Sequence, residues 1–334
     1  MFGFEGRGEA MARVLVTGAC GFIGSHVVDA LIARGDRVVV LDCLSYGANI
    51  GNLPSPVIVG ALSSYRIDSI PDAPCVLVIG DVADERLVKT LAEKTDGGLH
   101  LAAETHVDRS YGDVRPFVMS NVVGSYAVLE AYRTLKKRLV LMSTDEVYGD
   151  KLEGFSQEND SLSPRNVYST MKCCSDILAQ TYAAVFGVDV VIARPANNYG
   201  LRQSEKLVPK TIASIISGVK VPIYGDGLQI RDWLWVEDCA RALLALYDKG
   251  KSGRAYNIGS GQFRSTLDVV RAIAEALNVP FEGAVEFVED RIRGDRRYAL
   301  DYSRITAETG WLPLKKFDDG IREVVGWYKR RATK

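Results

Sequence analysis

The chain has 334 residues, enough for one large core and a smaller second lobe. Apolar residues make up 47% and charged residues 25%, as in folded globular proteins and unlike disordered ones. With 41 Lys and Arg against 42 Asp and Glu the net charge is -1, which excludes a general affinity for nucleic-acid backbones, while three histidines and six cysteines without a C-x-x-C pair argue against a His-rich metal centre, a zinc ribbon or a thioredoxin-type redox motif.

Residues 1–12 are rich in glycine and charge and contain no signal-peptide core; Met11 offers a second start. No apolar run nears the ~18 residues of a membrane helix. The expectation is a cytoplasmic protein whose cysteines are reduced packing residues. Any redox capacity must then come from a bound cofactor.

The first half alternates β-rich and helical segments. Strands are expected at Arg13–Thr17, Arg37–Leu41, Val76–Ile79, Gly98–Leu101, Leu139–Ser143 and Val188–Ala193. Helices are expected at Ile23–Arg34, Glu85–Lys94, Val118–Lys136 and Tyr168–Phe186. Near-continuous Val/Ile/Leu runs fit strands buried on both faces of a parallel sheet, so the fold class is α/β, a doubly wound Rossmann domain. After about residue 195 the rhythm changes. Helices follow at Leu207–Ser217, Val236–Tyr247, Leu267–Leu277 and Gly320–Lys329, with a short strand at Ala255–Ile258. Domain boundaries are read as residues 12–195 for the nucleotide-binding domain, with returns from about 228–258. Residues 196–227 and 259–330 form a smaller mixed α/β substrate lobe.

The strand Arg13–Thr17 runs into Gly18-Ala19-Cys20-Gly21-Phe22-Ile23-Gly24 and then a helix. Glycines there allow a tight turn and close approach of the backbone to a pyrophosphate, and a helix N-terminus supplies oriented N–H donors. Asp42 ends the second strand, 18 residues beyond Gly24, where a carboxylate can accept from a ribose diol and would repel a 2′-phosphate. NAD is favoured over NADP. The competing reading is a structural turn with a capping Asp.

Tyr168 and Lys172 stand four apart, on one face of a helix. A neighbouring ammonium favours phenolate and draws a phenol down from about 10, making a base for a hydroxyl proton during hydride transfer. Such pairs also arise by chance. The strand Leu139–Ser143 ends in Ser143-Thr144-Asp145-Glu146-Val147-Tyr148-Gly149. Ligands of open α/β sheets bind beyond the carboxyl ends of strands. Two carboxyls there can divide into an acid and a base, or can simply start a helix.

The glycine loop, the Ser143-Thr144 strand end and the Tyr168/Lys172 pair resemble the extended short-chain dehydrogenase/reductase superfamily. Further segments narrow the likeness: His100-Leu101-Ala102-Ala103-Glu104-Thr105-His106-Val107-Asp108-Arg109-Ser110; Asn197-Asn198-Tyr199-Gly200 with Glu205-Lys206-Leu207-Val208-Pro209; Ile223 through Leu234; and Val288-Glu289-Asp290-Arg291 with Asp295 through Asp301. Together these resemble the dTDP-glucose 4,6-dehydratase family from about Arg13 to Tyr328. The Thr144-Asp145-Glu146 triplet is the most discriminating element.

That resemblance implies an NAD-dependent lyase acting on a nucleoside-diphosphate hexose, dTDP-glucose foremost. Tyr168 and Lys172 would deprotonate the 4-hydroxyl, Glu146 would take the C5 proton, Asp145 would protonate the departing 6-hydroxyl, and Thr144 would bond near the 4-oxygen. Besides the glycine loop and Asp42, the cofactor side would include Asp81, Val82, Leu101, Ala102, Ala103 and Asn198, with Glu104 on the same loop. Asn121 would lie close to the active site. The substrate side would include Thr105, Asn197, Lys206, Leu207, Pro222, Tyr224, Arg231, Asn257, Asp290 and Arg291. Family members generally dimerise through two helices, here Val118–Lys136 and Tyr168–Phe186. Departures occur: Ile292-Arg293-Gly294 stands where Pro-Gly-His is common, Leu201 for proline, Trp235 for tyrosine and Ala196 for serine. None falls in the catalytic set, so they leave the nucleotide base open rather than the reaction type. The alternatives are an epimerase or 5,6-dehydratase on the same scaffold, and a non-enzymatic NAD-binding regulator.

Overall fold

The computed structural model describes residues 11–59, 69–289 and 295–332. They divide into two compact units. The first holds the chain up to Ser143, Val167–Ala193 and Ala240–Tyr256; the second holds Thr144–Asn166, Arg194–Cys239 and the chain from Asn257 onward. Residues 144–166 and 228–239 thus group with the second unit, which differs from the sequence boundaries. The sequence reading followed strand rhythm, whereas these two segments pack with the second unit's own loops and strands.

The first unit is built on a sheet of eight strands: β1 (Arg13–Thr17), β2 (Arg37–Asp42), β3 (Val57–Val59), β4 (Cys75–Ile79), β5 (Gly97–His100), β6 (Arg138–Met142), β7 (Val190–Pro195) and, at one edge, β11 (Ala255–Ile258). Their order is β11-β7-β6-β5-β1-β2-β4-β3, and the seven strands from β7 to β3 pair in parallel. Every expected strand is present to within two residues; β3 is the addition. β1 and β2 are buried from their second residue on, as strands covered on both faces must be. The chain steps outward from β1 through β2 and then returns to place β5 on the other side of β1. That reversal opens the ligand crevice of a doubly wound sheet at the carboxyl ends of β1 and β5.

Helices start where the sequence offers caps. Asp84 Oδ1 accepts from the N–H groups of Arg86 and Leu87, both at 3.1 Å, and opens the helix Glu85–Glu93. Ser265 and Asp268 close a capping box at the helix Thr266–Leu277. The helix expected over Val118–Lys136 is two pieces, a π-helical stretch Val118–Val123 and an α-helix Gly124–Leu135. Widened turns of this kind accommodate a side chain with a local task, here Asn121. Lys136, in the left-handed conformation, ends the helix.

The second unit contains a three-stranded sheet in which β10 (Ile230–Trp235) lies between β8 (Asn197–Tyr199, parallel) and β12 (Phe263–Ser265, antiparallel). A second, two-stranded sheet pairs β9 (Val221–Tyr224) with β13 (Val285–Val288). Its aromatic core centres on Tyr199, whose ring meets those of Trp233, Trp235 and Phe317 at 5.3–6.1 Å between centroids. These short strands lack the long Val/Ile runs of the first unit, and none of them was expected from periodicity.

Candidate active site

The glycine loop lies between β1 and the helix Phe22–Ala33 in the first unit. Gly18 has φ +73°, and a Cβ there would sit 2.6 Å from the Ala102 backbone. A Cβ on Gly24 would sit 2.6 Å from the Gly18 carbonyl oxygen. Glycine is therefore required for both the turn and the packing of the helix onto the strand. Phe22 and Ile23 form the first turn, so their N–H groups belong to the unpaired set at the helix N-terminus. Asp42 Oδ2 accepts from Cys20 N and Oδ1 from Leu44 N, both at 2.9 Å. The carboxyl is buried, which raises its pKa, while these two bonds pull it down. It is clamped at the end of β2 with lone pairs left over. A glycine cradle, a helix N-terminus and a fixed carboxylate at this spacing fit a dinucleotide.

Thr17 and His100 are register partners on β1 and β5. Thr17 Oγ1 accepts from the N–H groups of Leu101 and Ala102, each at 3.2 Å, and so donates its own proton to His100 Nδ1 at 2.8 Å. His100 Nε2 must then carry the ring proton. It donates to Ser125 Oγ at 3.0 Å, and Ser125 donates to the Asn121 carbonyl at 2.7 Å. Burial and the Lys172 charge push His100 down to about 3, so the ring is neutral. Asn121 closes the chain: its Oδ1 accepts from Glu104 N at 2.8 Å and its Nδ2 donates to Glu104 O at 2.9 Å. The loop from Leu101 through Ala103 to Glu104 is held at both ends, which is what a wall of a cofactor site needs. Of the remaining residues expected on this side, Val82 is buried against Gly124, Asp81 is exposed and accepts from Ala83 N, and Thr105 is exposed.

Tyr168 and Lys172 lie on the helix Val167–Phe186, both buried and one turn apart. Lys172 Nζ donates to the Met142 carbonyl at 2.5 Å. Burial lowers its pKa to about 8, with Asp176 opposing.

In the second unit, Thr144 caps a short 3-10 turn, Asp145–Tyr148. Thr144 Oγ1 accepts from Glu146 N at 3.3 Å and donates to Asp145 Oδ1 at 3.1 Å. The Asp145 carboxyl is buried, and its Oδ2 has no hydrogen-bond partner among the described residues. Burial, followed by the charge of Glu146, pushes Asp145 up to about 8, against the pull of Arg231. Glu146 is half-buried and its pKa is raised as well, by burial above all, while the bond from Asn166 Nδ2 at 3.1 Å and then the charges of Lys206 and Arg231 pull it back down. Two neighbouring carboxyls therefore have unlike surroundings, the condition for dividing acid from base.

Arg231, on β10, lies 4.3 Å over the Tyr298 ring and donates to the carbonyls of Ile230 and Asp295. Lys206 immediately precedes the helix Leu207–Ile216. Pro222 and Tyr224 alternate onto the exposed face of β9. Asn197, on β8, has a buried Oδ1 without a partner among the described residues, and Asn198 Nδ2 donates to Ala196 O. Asn257 differs from the expectation of a phosphate contact. Its Nδ2 donates to Ser156 O and Asp301 O, and its Oδ1 accepts from Tyr148. That fully buried side chain fastens the loop beyond Tyr148 instead of presenting a donor. Asp290 and Arg291 lie outside the described residues, as does the altered segment 292–294.

The sequence reading missed Asn166 and gave no role to Thr17, Ser125, Asp295 or Tyr298. Asn166 stands two residues before Tyr168, and nothing local distinguishes it from a loop residue.

Fold and site together define a dinucleotide-dependent enzyme of the short-chain dehydrogenase type. Residues 14–259 match the model of the NAD dependent epimerase/dehydratase family, and the chain belongs to that family. A dTDP-glucose 4,6-dehydratase from Actinoplanes sp. is 42% identical over 331 residues, covering 96% of this chain and 99% of the relative. Among solved structures, a double mutant of the dTDP-glucose 4,6-dehydratase DesIV from Streptomyces venezuelae with NAD bound superposes with TM-score 0.88 at 34% identity, over 96% of this chain and 98% of that one. The UDP-glucose 4-epimerase of Thermotoga maritima, with UDP-glucose, gives TM-score 0.85 at 26% identity, over 96% and 99%. The motif resemblance to the dehydratases is thus upheld over nearly the whole chain.

Proposed function

We propose that this protein removes water from a nucleoside-diphosphate hexose, dTDP-glucose, to give the 4-keto-6-deoxy sugar. The carrying observation is the Asp145/Glu146 pair, two carboxyls side by side with different partners. An epimerase reaction, which moves a hydride without eliminating water, needs no such pair. The 42% identity to a dTDP-glucose 4,6-dehydratase supports the same reading.

Gly18, Gly21, Gly24 and Asp42 would hold NAD, which when bound would supply a hydride acceptor for C4 and a hydride donor for C6. Tyr168 takes the 4-hydroxyl proton, and the Lys172 ammonium favours its phenolate. The 4-ketone acidifies the C5 proton, which Glu146 removes. Asp145 holds a proton near neutral pH and gives it to the 6-hydroxyl, which leaves as water. Glu146 returns its proton to C5. Tyr168 gives up the proton gained at C4, and Asp145 recovers the one it lost, so the cycle closes without net redox change. Lys206 and Arg231 hold the diphosphate through charge-assisted bonds. Thr105, Asn197, Leu207, Pro222 and Tyr224 line the sugar and base.

Purified protein incubated with dTDP-glucose should yield a product lighter by one water, and deuterium placed at C4 should appear at C6. Failure with dTDP-, UDP-, CDP- and GDP-hexoses alike would refute this function.

A homodimer completes the proposal. Met119, Tyr126, Ile177, Val185 and Phe186 leave apolar surface exposed on the two helical segments expected to pair with a second copy. A monomeric mass by light scattering would contradict it. No helix among the described residues is long and apolar enough to cross a membrane. Six cysteines with no disulfide among the described residues favour action in the reducing cytoplasm.

A further inference from the structure

We propose that Asn166 is a positioning residue that aims Glu146 and favours its charged form without acting on Asp145. The inference rests on the function proposed above. Its physical basis is the way residues 163–166 are fastened to the turn that carries both carboxyls.

Ser163 N donates to the Val147 carbonyl at 2.9 Å. Gly149, with φ +73°, makes that approach possible, because a Cβ there would lie 2.3 Å from the Ser163 oxygen. Arg165 pairs with Asp150 at 3.2 Å and with Asp295 at 3.4 Å. Asn166 is therefore set from both the turn and the 295–298 segment, and its amide reaches Glu146 Oε2 at 3.1 Å. An ionised carboxylate only accepts, so the NH₂ end of the amide must face it. Such a donor favours the charged form and does not itself titrate, so its preference persists at every pH.

Among the described residues no N–H group reaches the Asp145 carboxyl. Thr144 donates to one oxygen and the other has no partner among the described residues. The titratable and charged groups facing Glu146 are Asp145, Lys206, Arg231 and Asp295, together with the Tyr298 hydroxyl, which bonds to Asp295. Lys206 and Arg231 assist ionisation and Asp295 opposes it, while a protonated Asp145 carries no charge to oppose it. Arg231 also acts on Asp145, so it cannot by itself separate the two carboxyls. The Asn166 amide touches one of them only.

The test compares Asn166→Asp and Asn166→Ala with the unaltered enzyme on dTDP-glucose across pH. We expect kcat to fall about 10- to 100-fold with KM within about threefold, the scale of a misplaced base. The acid limb of the kcat profile should move to higher pH, further for Asn166→Asp than for Asn166→Ala. Formation of reduced nicotinamide on first mixing with sugar should keep its rate, since C4 oxidation does not use Glu146, while exchange of the C5 proton with deuterated water should slow. An unchanged acid limb in the two variants, or C4 oxidation slowed as much as C5 exchange, would overturn the role. If Asn166→Asp does not fold, Asn166→Ala alone decides it, because a half-buried loop amide can be truncated without filling a core. Lack of water loss by the unaltered enzyme would strike the proposed function instead, and the two failures are thus distinct.

Discussion

Thr144 Oγ1 donates to Asp145 Oδ1 at 3.1 Å, while Asp145 Oδ2 is buried with no hydrogen-bond partner among the described residues. A carboxyl held in this way can keep a proton on its unpartnered oxygen and deliver it to a leaving group. Burial is the main reason it keeps that proton up to about pH 8.

Stability should follow from the same shift. The folded chain holds a proton on Asp145 that the unfolded chain releases at about 4. The contribution is therefore full below that pH and lost as pH rises through about 8. Asn at position 145 carries no such dependence. Melting temperatures of Asp145→Asn and the unaltered protein should be closest near pH 4, with the variant gaining steadily toward pH 8. Parallel curves would show that Asp145 ionises normally. Water elimination by this variant should be nearly abolished.

His100 should act in the opposite sense. Its folded pKa is lowered to about 3, so between there and 6.5 the unfolded chain binds the extra proton and stability rises with pH. Between pH 7 and pH 5 the ring should cost about 2 kcal/mol. His100→Gln should flatten that part of the pH–stability curve. Nitrogen chemical shifts should place the single ring proton on Nε2.

Gly18→Ala should be severe. A Cβ at that position meets the Ala102 backbone at 2.6 Å in a conformation with φ +73°. Backbone strain alone is worth about 1–3 kcal/mol. The displaced loop is the one proposed to hold the pyrophosphate, so the variant should be purified with little NAD. Differential melting with and without added NAD, plus the cofactor content of the purified protein, would check both effects.

Tyr168→Phe and Lys172→Ala should each lower kcat by about 10²- to 10⁴-fold, the usual range for a lost acid–base group. Both side chains are buried, so folding must be verified by melting before rates are compared. The phenol variant should retain bound NAD, which separates lost proton transfer from lost cofactor. For the unaltered enzyme, activity should decline above about pH 8, where Asp145 and Lys172 both lose protons.

The first unit was legible because each of its signals is local. Runs such as Val14-Leu15-Val16 mark strands covered on both faces, and glycines between strand and helix mark the phosphate turn. The four-residue spacing of Tyr168 and Lys172 fixes a shared helix face before any folding is known. The second unit was less legible, because β8, β9, β12 and β13 are three or four residues long, too short for a periodicity to show.

Sequence by itself determined which groups are candidates for the chemistry: a glycine cradle, an end-of-strand carboxylate, a phenol with its ammonium, and two adjacent acids. Tertiary structure alone decided how those groups are charged and held. Thr17 meets His100 because β1 and β5 are neighbours in register, although 83 positions separate them. Glu146 meets Asn166 across 20 positions because Gly149 lets Ser163 approach the turn. Asn257, which motif likeness assigned to substrate, is instead enclosed by the carbonyls of Ser156 and Asp301 and the Tyr148 hydroxyl. Hydrogen-bond partners and burial depend on what folding brings alongside a residue, and in this protein they separate the two carboxyls.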